Sequence, residues 1–387
     1  MSKLLEQINK KASQRIGNLC EAIFSGGTPN TTTSDFWNGG IPWLSSGETR
    51  NDFINETEKT ITEAGVKNSS TRLAKKDDVV IATAGQGHTR GQTAYLNIDT
   101  YINQSLISLR ANTEKLEPRY LYYNLKLRYP ELRALSDATS SRGSITCPML
   151  HELEIELPDL SVQKKVASIL SAYDEKIENN NKIIKNLEAM AQTIFNEWFV
   201  NFRFPGYEKV KFVDSEMGEI PEEWEMKSVL DVIERIPSGK KYDNKSASSK
   251  GCIPILDQGA SGFIGYHDDE PGVLASIDNP VVVFTNHTCY YRILTEPFSC
   301  IQNVLPYIGK NGYDTFFVYF LTKDKIKMSE YKGHWPEFEQ QVFVIPTPDI
   351  AKKFSEKAKT FIEKIVACEK ENISLKSQRD QLLAKLV

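Results

Sequence analysis

A glycine-rich polar stretch follows an apolar segment in the first half of the sequence. Residues Val79–Ala82 read VVIA, and Thr83–Gly91 read TAGQGHTRG, with Gln86, His88 and Arg90 as the large polar side chains. Amide, imidazole and guanidinium groups on such a loop can hydrogen-bond to the base edges of duplex DNA. We therefore predict that the loop reads bases, and a plain hairpin turn with solvated tips is the alternative. No helix pattern follows the loop, which argues against a phosphate-binding nucleotide site.

Further loops in both halves carry side chains of the same kind. Ser140–Ser144 reads SSRGS and offers Arg142 and Ser144 for phosphate contacts. In the second half the candidates lie in four short runs: Lys240 and Lys241, Gln258 and Ser261, Asn286 and His287, and Lys332 and His334. Each loop alone is also compatible with a solvated connection, whereas their occurrence in both halves favours nucleic-acid recognition. A charge run over residues 119–133, on a predicted helix, is interpreted as a solvated face.

The sequence lacks the patterns of enzymes that act on nucleic acids. Asp278–Val281 reads DNPV and lacks the second proline and the aromatic residue with which a methyltransferase holds its flipped base. Asp214 with Glu225–Lys227 fits a metal-nuclease pattern, but such a match is expected by chance in a chain with 25% charged residues. No glycine-lysine-serine/threonine loop for ATP is found. We predict no catalytic residue, no cofactor and no metal site.

Composition predicts a globular chain of more than one domain. The 387 residues exceed what one hydrophobic core usually organises, and 40% of them are hydrophobic. The six cysteines are scattered, without zinc-ligand spacing. A net charge of −4 argues against binding a polyanion by bulk attraction alone, so any nucleic-acid site must be local. The charged N-terminus and the lack of a long apolar run predict a cytoplasmic protein without a membrane segment.

An internal repeat supplies the elements that position these loops. Residues 158–198 and 346–386 align without a gap at an offset of 188. Apolar residues recur at alternating steps of three and four, which predicts two long helices, over about 159–199 and 347–387, with heptad seams. The seams include Tyr173, Ile177, Asn180, Ile184 and Leu187 in the first copy and Phe361, Ile365, Asn372 and Leu375 in the second. A polar seam residue can fix the register of such helices at some cost in stability.

Shorter similarities before the two helices predict that the globular parts share one plan. Ile41–Leu44 (IPWL) is echoed by Ile253–Leu256 (IPIL), and Val79–Ala82 by Val281–Phe284 (VVVF). Short β-rich runs broken by Gly, Asn, Ser and Thr are typical of a mixed α/β (α+β) fold. The predicted segments are an N-terminal helix (1–14), a first globular domain (15–157), a central helix (158–200), a linker (201–222), a second globular domain (223–345) and a C-terminal helix (346–387).

Five motifs follow one another along essentially the whole chain. They are Ser25–Pro29 (SGGTP), Ile41–Leu44, Leu157–Leu160 (LPDL), Glu188–Phe199 (EAMAQTIFNEWF) and Met217–Trp224 (MGEIPEEW). In this order they resemble the specificity (S) subunits of type I restriction-modification systems. The resemblance implies two target-recognition domains, each for one half of a bipartite duplex DNA sequence, and a DNA contact by Thr28 of the first motif. Ser238–Lys241 replaces this glycine loop in the second half, so an equivalent contact is not expected there.

The same resemblance implies the partners of the chain. The two long helices would pack antiparallel and dock two methyltransferase (modification) subunits on the seam residues, and restriction subunits would join through that core. Methyl transfer and cleavage would then belong to the partners, and this chain would not be an enzyme. The alternative is a two-headed coiled-coil scaffold or adaptor that binds protein rather than DNA, which the net negative charge favours.

Overall fold

The apolar runs and the heptad seams of the sequence form the cores of two units. The computed structural model describes residues 2–85, 87–137, 143–216, 218–259 and 262–387. Unit 1 comprises residues 1–178 and 372–387, and unit 2 comprises residues 179–371. Each unit has its own hydrophobic clusters, and each is described separately below.

Short strands dominate unit 1, as its β-rich runs predict. The described strands are β1 (Ala12–Arg15), β2 (Cys20–Ser25), β3 (Trp37–Leu44), β4 (Phe53–Ile54), β5 (Lys59–Ile61), β6 (Arg72–Ala74), β7 (Val79–Ala82), β8 (Thr93–Leu96), β9 (Thr100–Ile102), β10 (Leu106–Ala111) and β11 (Glu154–Leu157). They form sheets of order β2-β10-β7-β8-β4 and β5-β3-β9-β6, and β1 pairs with β11. The apolar strand β7 is buried at every residue because it lies between β10 and β8 inside the five-stranded sheet.

Short helices cover the sheets of unit 1. They are α1 (Ser2–Ile8), α2 (Ile16–Leu19), α3 (Glu63–Lys67), α4 (Pro118–Leu127), α5 (Tyr129–Asp137) and α6 (Cys147–Glu152). Pro118 begins α4 at a position where its missing N–H removes no helical hydrogen bond. Tyr120, Tyr122 and Tyr123 of α4 are buried in the unit 1 core, so this helix anchors the sheet.

A long helix, α7 (Leu160–Phe195), follows β11 and continues into a π-helical turn at Asn196–Val200. The next stretch, predicted as an irregular linker over 201–222, contains a hairpin of β12 (Phe212–Ser215) and β13 (Gly218–Pro221). Gly218 has a φ of +96°, a conformation that glycine adopts without steric cost in tight connections. Part of this stretch is therefore regular, contrary to the sequence-based expectation.

Unit 2 contains the remaining strands and helices. The strands are β14 (Glu225–Ser228), β15 (Ile233–Arg235), β16 (Ile253–Leu256), β17 (Phe263–His267), β18 (Val281–Thr285), β19 (Tyr291–Leu294), β20 (Ser299–Cys300), β21 (Val304–Gly309) and β22 (Val342–Ile345). The helices are α8 (Val229–Val232), α9 (Thr315–Thr322), α10 (Trp335–Glu339) and α11 (Pro348–Leu386).

The strand order of unit 2 repeats that of unit 1. The sheet β15-β21-β18-β19 corresponds to β2-β10-β7-β8, and β14 pairs with β22 as β1 pairs with β11. The parallel pair of β3 with β9 recurs as β16 with β20. Among the described residues of unit 2, no strand corresponds to β4, so β19 is an edge strand. The predicted mixed α/β fold with an internal repeat is confirmed.

α7 and α11 pack along the predicted seams. In unit 2, Asn180 Nδ2 donates to Glu371 Oε2 (2.8 Å) and the rings of Phe195 and Phe354 lie 5.5 Å apart, so the two helices run antiparallel. Of the predicted seam residues, Ile177, Asn180, Ile365 and Asn372 are buried, and Tyr173, Ile184, Leu187, Phe361 and Leu375 are half-buried. None of the described helices combines the length and apolarity needed to cross a membrane.

The N-terminal segment, predicted as one helix over 1–14, is helical only over α1. Residues Ala12–Arg15 form β1 because they pair with β11, from Ala12 opposite Leu157 to Arg15 opposite Glu154. Ile8 shares the unit 1 core with residues of α11, and Lys11 Nζ donates to the backbone oxygen of Val387 (2.6 Å). The segment thus packs beside the end of α11.

Candidate nucleic-acid interface

Three loops of unit 2 meet where β18 ends. They are Asp257–Gly259, Asn286–Thr288 and Lys332–His334, and together we call them loop cluster 2. Gln258 Oε1 accepts a hydrogen bond from the backbone N–H of His287 (3.0 Å), and His287 Nδ1 lies 2.8 Å from the backbone oxygen of Lys332. Because a carbonyl oxygen only accepts, we assign the proton of His287 to Nδ1. Residues predicted from three separate runs are thus brought together.

Loop cluster 2 carries a stacked aromatic pair. The rings of His287 and Tyr331 lie 5.0 Å apart at an angle of 19°. Tyr331 is 83% exposed, so a planar apolar surface faces solvent beside the polar side chains. Such a surface can contact thymine methyl groups or stack on bases. Tyr331 was not predicted from the sequence as a contact. Its position next to Lys332, which was predicted, is the signal that could have identified it.

Asn286 and His334 support the loops from inside. The side-chain oxygen of Asn286 accepts from the backbone N–H of Trp335 (2.8 Å). His334 is fully buried, with Nδ1 2.9 Å from Glu337 Oε2 and Nε2 3.1 Å from the backbone oxygen of Glu330. A ring with no exposed surface and both nitrogens engaged cannot touch DNA in this conformation. The sequence-based assignment of His334 to DNA contact is therefore corrected to a positioning role.

The charge of Lys332 is balanced inside loop cluster 2. Its ammonium group lies 2.8 Å from carboxylate oxygens of both Glu330 and Glu337. Hydrogen bonds to Glu330 and then Glu337 raise the pKa of Lys332. Hydrogen bonds from Lys332 and then His334 lower the pKa of Glu337. A phosphate group approaching Lys332 therefore competes with two carboxylates.

The basic pair Lys240 and Lys241 makes its contacts in another part of unit 2. Lys240 Nζ lies 2.8 Å from Asp269 Oδ2, and this hydrogen bond raises the pKa of Lys240. Lys241 Nζ donates to Ser238 Oγ (2.5 Å) and to Cys300 Sγ (3.4 Å). Neither lysine forms a hydrogen bond or ion pair with loop cluster 2 in the part of the chain that the structure describes.

The equivalent place in unit 1 is formed by residues 83–91 without Gln86, by α5 and by Gly143–Ile145, which we call loop cluster 1. The Tyr129 hydroxyl donates to the backbone oxygen of His88 (2.9 Å), and Arg133 donates to the backbone oxygen of Gly87. Arg133 belongs to the charge run interpreted as a solvated face. That interpretation is wrong for this residue, because its guanidinium group holds the adjacent loop.

His88 and Arg90 have different environments within loop cluster 1. The His88 side chain is exposed. The Arg90 side chain is only 12% exposed and is paired with Asp137 at the end of α5, with a further contact to the backbone oxygen of Gly143 (3.4 Å). His88 is therefore available to a ligand. Arg90 instead connects its own loop to α5 and to Gly143, and so helps to hold the loop in position.

A cavity of about 370 Å³ opens beside loop cluster 1. His88, Lys126 and Tyr129 line it, together with Gln92, which precedes β8, and Thr93 of β8. Gln92 Oε1 also accepts a hydrogen bond from Thr49 (3.2 Å). Gln92 and Tyr129 were missed from the sequence because one lies after the loop and the other on a helix.

The glycine loop of the first half is built for close packing. A side chain on Gly26 would meet the backbone oxygen of Ile102 at 1.9 Å, and one on Gly27 would meet Ser70 Oγ at 2.1 Å. The two glycines thus let the chain approach its neighbours. Thr28 follows them and donates from Oγ1 to Gln104 Oε1 (2.5 Å).

The remaining predicted contacts can be placed only in part. Ser144 is half-buried, and its Oγ lies 3.4 Å from the backbone oxygen of Ile145. Gln86, Arg142 and Ser261 lie outside the described residues.

Both loop clusters share one backbone connection. In unit 1 the N–H of Ile145 donates to the oxygen of Thr83 (3.1 Å), and in unit 2 the N–H of His334 donates to the oxygen of Asn286 (2.8 Å). Thr83 and Asn286 are the first residues after the equivalent strands β7 and β18. The two clusters are therefore built on the same backbone frame.

The polar groups of unit 2 include a serine and histidine pair that resembles a nucleophile with its base. His267 Nε2 lies 2.8 Å from Ser299 Oγ, but the N–H of Asp269 donates to Nδ1 of the same ring (3.1 Å). Nε2 must then carry the proton and donate to the serine, so it cannot accept a proton from it. No group of His, Cys, Asp and Glu with the arrangement of a metal site occurs among the described residues.

Comparison with known proteins shows what this chain is similar to. Residues 9–189 match the model of the type I restriction modification DNA specificity domain. The specificity subunit of the type I restriction enzyme MjaIX from Methanocaldococcus jannaschii is 26% identical over 94% of this chain and 90% of its own length. The chain is thus similar over most of its length to a specificity subunit of a type I restriction enzyme, and its first half is similar to the DNA specificity domain.

Two further proteins are similar to this chain. A putative specificity subunit of the type I restriction enzyme MjaX, from the same organism, is 31% identical over 59% of this chain and 56% of its own length. The crystal structure of a type I restriction-modification S subunit from M. genitalium has a TM-score of 0.60 at 16% identity. That match covers 97% of this chain and 96% of the other, and shows a common fold.

Proposed function

We propose that this chain recognises a bipartite duplex DNA target, with loop cluster 1 reading one half and loop cluster 2 the other. The observation that carries the proposal is the equivalent position of the two clusters in units of the same strand order. His88 in cluster 1, and Gln258, His287 and Lys332 in cluster 2, are the proposed contacts. Thr28, Lys240 and Lys241 are proposed to contact the DNA backbone.

The charge distribution supports sequence-specific rather than bulk binding. The net charge is −4, and two of the proposed basic contacts, Lys332 and Lys240, are paired with carboxylates. The phosphates of any duplex must compete with these carboxylates, which weakens attraction that does not depend on sequence. Contacts to the bases must then supply the affinity for the correct sequence.

We also propose that α7 and α11 dock two methyltransferase subunits, and that restriction subunits join through that core. The half-buried seam residues, among them Tyr173, Ile184 and Phe361, keep part of their apolar surface exposed. Met190 of α7 and Ile373 of α11 are 50% and 70% exposed. Exposed apolar groups on helices are suited to burial by a partner helix. A cytoplasmic location follows, because the DNA and these partners are found there.

The test is methylation mapping of DNA from cells that contain this chain and its methyltransferase subunit, compared with the methyltransferase alone. Two short defined sequences around a fixed undefined gap, methylated only in the presence of this chain, are expected. A stable complex of the two proteins without new methylation would overturn the proposal and favour the protein-binding scaffold.

A further inference from the structure

The two units differ at one equivalent position on the long helices. At the repeat offset of 188, Asp174 corresponds to Ile362 and Arg379 to Ala191. In unit 1, Arg379 Nη1 lies 2.5 Å from Asp174 Oδ1, and both side chains are less than 10% exposed. The Tyr123 hydroxyl donates to the other oxygen of Asp174 (2.5 Å). A polar cluster thus fills this place in unit 1.

A short strand completes the filling in unit 1. β4 pairs in parallel with β8, with Phe53 opposite Tyr95. The ring of Phe53 lies 6.1 Å from that of Tyr95 and 5.3 Å from that of Tyr122. Next to it, Asp52 lies 2.5 Å from Lys126 and 3.7 Å from Arg379. The chain therefore covers this part of its own core with an extended segment.

The same place in unit 2 is open. Residues 257–262 lie between β16 and β17, and in the part of the chain that the structure describes no strand pairs with the outer edge of β19. A cavity of about 380 Å³ is found here instead. Its lining includes Ala191, Ile362, Tyr319 and Ile293, which correspond to Arg379, Asp174, Tyr122 and Tyr95 of unit 1. The cavity is thus the equivalent of the volume that unit 1 fills.

We propose that the cavity and the open edge of β19 bind an extended segment of a partner protein. An aromatic side chain of the segment occupies the cavity as Phe53 does in unit 1, and its backbone pairs in parallel with β19. Unpaired strand edges bind extended peptides in this way, with affinity from backbone hydrogen bonds and specificity from side-chain pockets.

The charges around the cavity indicate which type of residue should lie next to the aromatic residue of the bound segment. Glu188 and Glu369 line the cavity, and burial, followed by the neighbouring charges of Glu188 and Glu296, raises the pKa of Glu369. Of the two cations in the lining, Arg292 is engaged with the backbone oxygen of Gly259, and Lys323 lies 5.7 Å from the ring of Tyr319. A basic residue in the segment would relieve the repulsion between the two carboxylates.

The test uses a fluorescent peptide with the sequence of residues 48–57 and the change Asp52→Lys, titrated with the full chain. The matched control is the same peptide with Phe53→Ala. Loss of a buried aromatic side chain should weaken binding about tenfold or more. Equal affinity of the two peptides, or no binding at millimolar concentration, would overturn the proposal.

A variant of the protein tests whether the peptide binds in the cavity of unit 2. The double change Ala191→Arg with Ile362→Asp transfers the ion pair of unit 1 into the cavity and should weaken peptide binding about tenfold or more. Unchanged binding to this variant, once circular dichroism has shown it to be folded, would overturn the proposal. In the unmodified chain, the peptide should slow hydrogen exchange of the β19 amides, and unchanged exchange there would contradict strand pairing. If the chain self-associates and the peptide reverses this association, the bound segment belongs to a second copy of this chain and not to a partner protein.

Discussion

Loop cluster 1 and loop cluster 2 occupy equivalent places in the two units but are held by different side chains. In unit 1, α5 provides Tyr129, Arg133 and Asp137, which bind the loop after β7. Between α9 and α10, unit 2 has no described helix corresponding to α5, and His287 and His334 make the equivalent connections. The strand frame thus repeats, whereas the loops that face a target have diverged. This is the pattern expected if the two units read different sequences.

The largest expected effect concerns the buried ion pair of unit 1, which unit 2 lacks. The change Arg379→Met leaves the buried carboxylate of Asp174 without its cation and should destabilise the chain by about 3–5 kcal/mol. The exposed pair of Lys359 and Asp278 (2.6 Å) provides the matched control in unit 2. Lys359→Ala should have a much smaller effect, because water screens this exposed pair. Urea unfolding measures both, and equal effects of the two changes would contradict the comparison.

A smaller effect is expected from the groups that hold the loops. His334→Phe removes the ring nitrogens that contact Glu337 and the backbone of Glu330, and should destabilise loop cluster 2 by about 1–3 kcal/mol. Arg90→Met is the matched change in loop cluster 1. Hydrogen exchange should accelerate only in the unit that carries the change. Acceleration in both units would show that the clusters are not independently held.

The contribution of Lys332 to DNA binding should be modest. Lys332→Ala removes one proposed phosphate contact and should lower the slope of log affinity against log salt by about 1. Because two carboxylates already engage this lysine, the loss of affinity at moderate salt should stay below about tenfold. Titration of duplex DNA at several salt concentrations measures both values. An unchanged slope would show that Lys332 does not contact a phosphate of the DNA.

The smallest effect is a pH dependence inside loop cluster 2. The pKa of Glu337 is lowered by Lys332 and then by His334. Stability from these contacts is therefore present above the pKa of glutamate in the unfolded chain, and is lost as the pH falls through the lower folded-state value. Carbon-13 NMR titration of Glu337 should show a pKa below the ordinary value, which Lys332→Met raises. No change on substitution would contradict the ion pair.

Much of the fold was predictable because it rests on periodic apolar residues. The seams of α7 and α11 and the buried runs at β7 and β18 follow directly from residue type and spacing. The hairpin at Phe212–Pro221 was missed because its strands are only four residues long and only Ile220 and Pro221 are buried, so that no alternating pattern appears in them.

The site was predictable only as a set of loops. Residue type identified Gln258, His287 and Lys332, which do come together in unit 2. It could not separate the exposed His88 from the buried His334, because burial depends on contacts made far along the chain. Tyr129 and Arg133 were missed for the same reason, since they act on the loop from a helix.

The central claim is that each loop cluster reads its own half of the target. Methylation mapping with His88→Ala and with His287→Ala, each expressed with the methyltransferase subunit, tests it most directly. We predict that His287→Ala relaxes or changes bases in one half of the methylated motif only, and His88→Ala in the other half only, with the gap unchanged. A change of both halves by either variant would contradict the account, as would intact wild-type methylation with both.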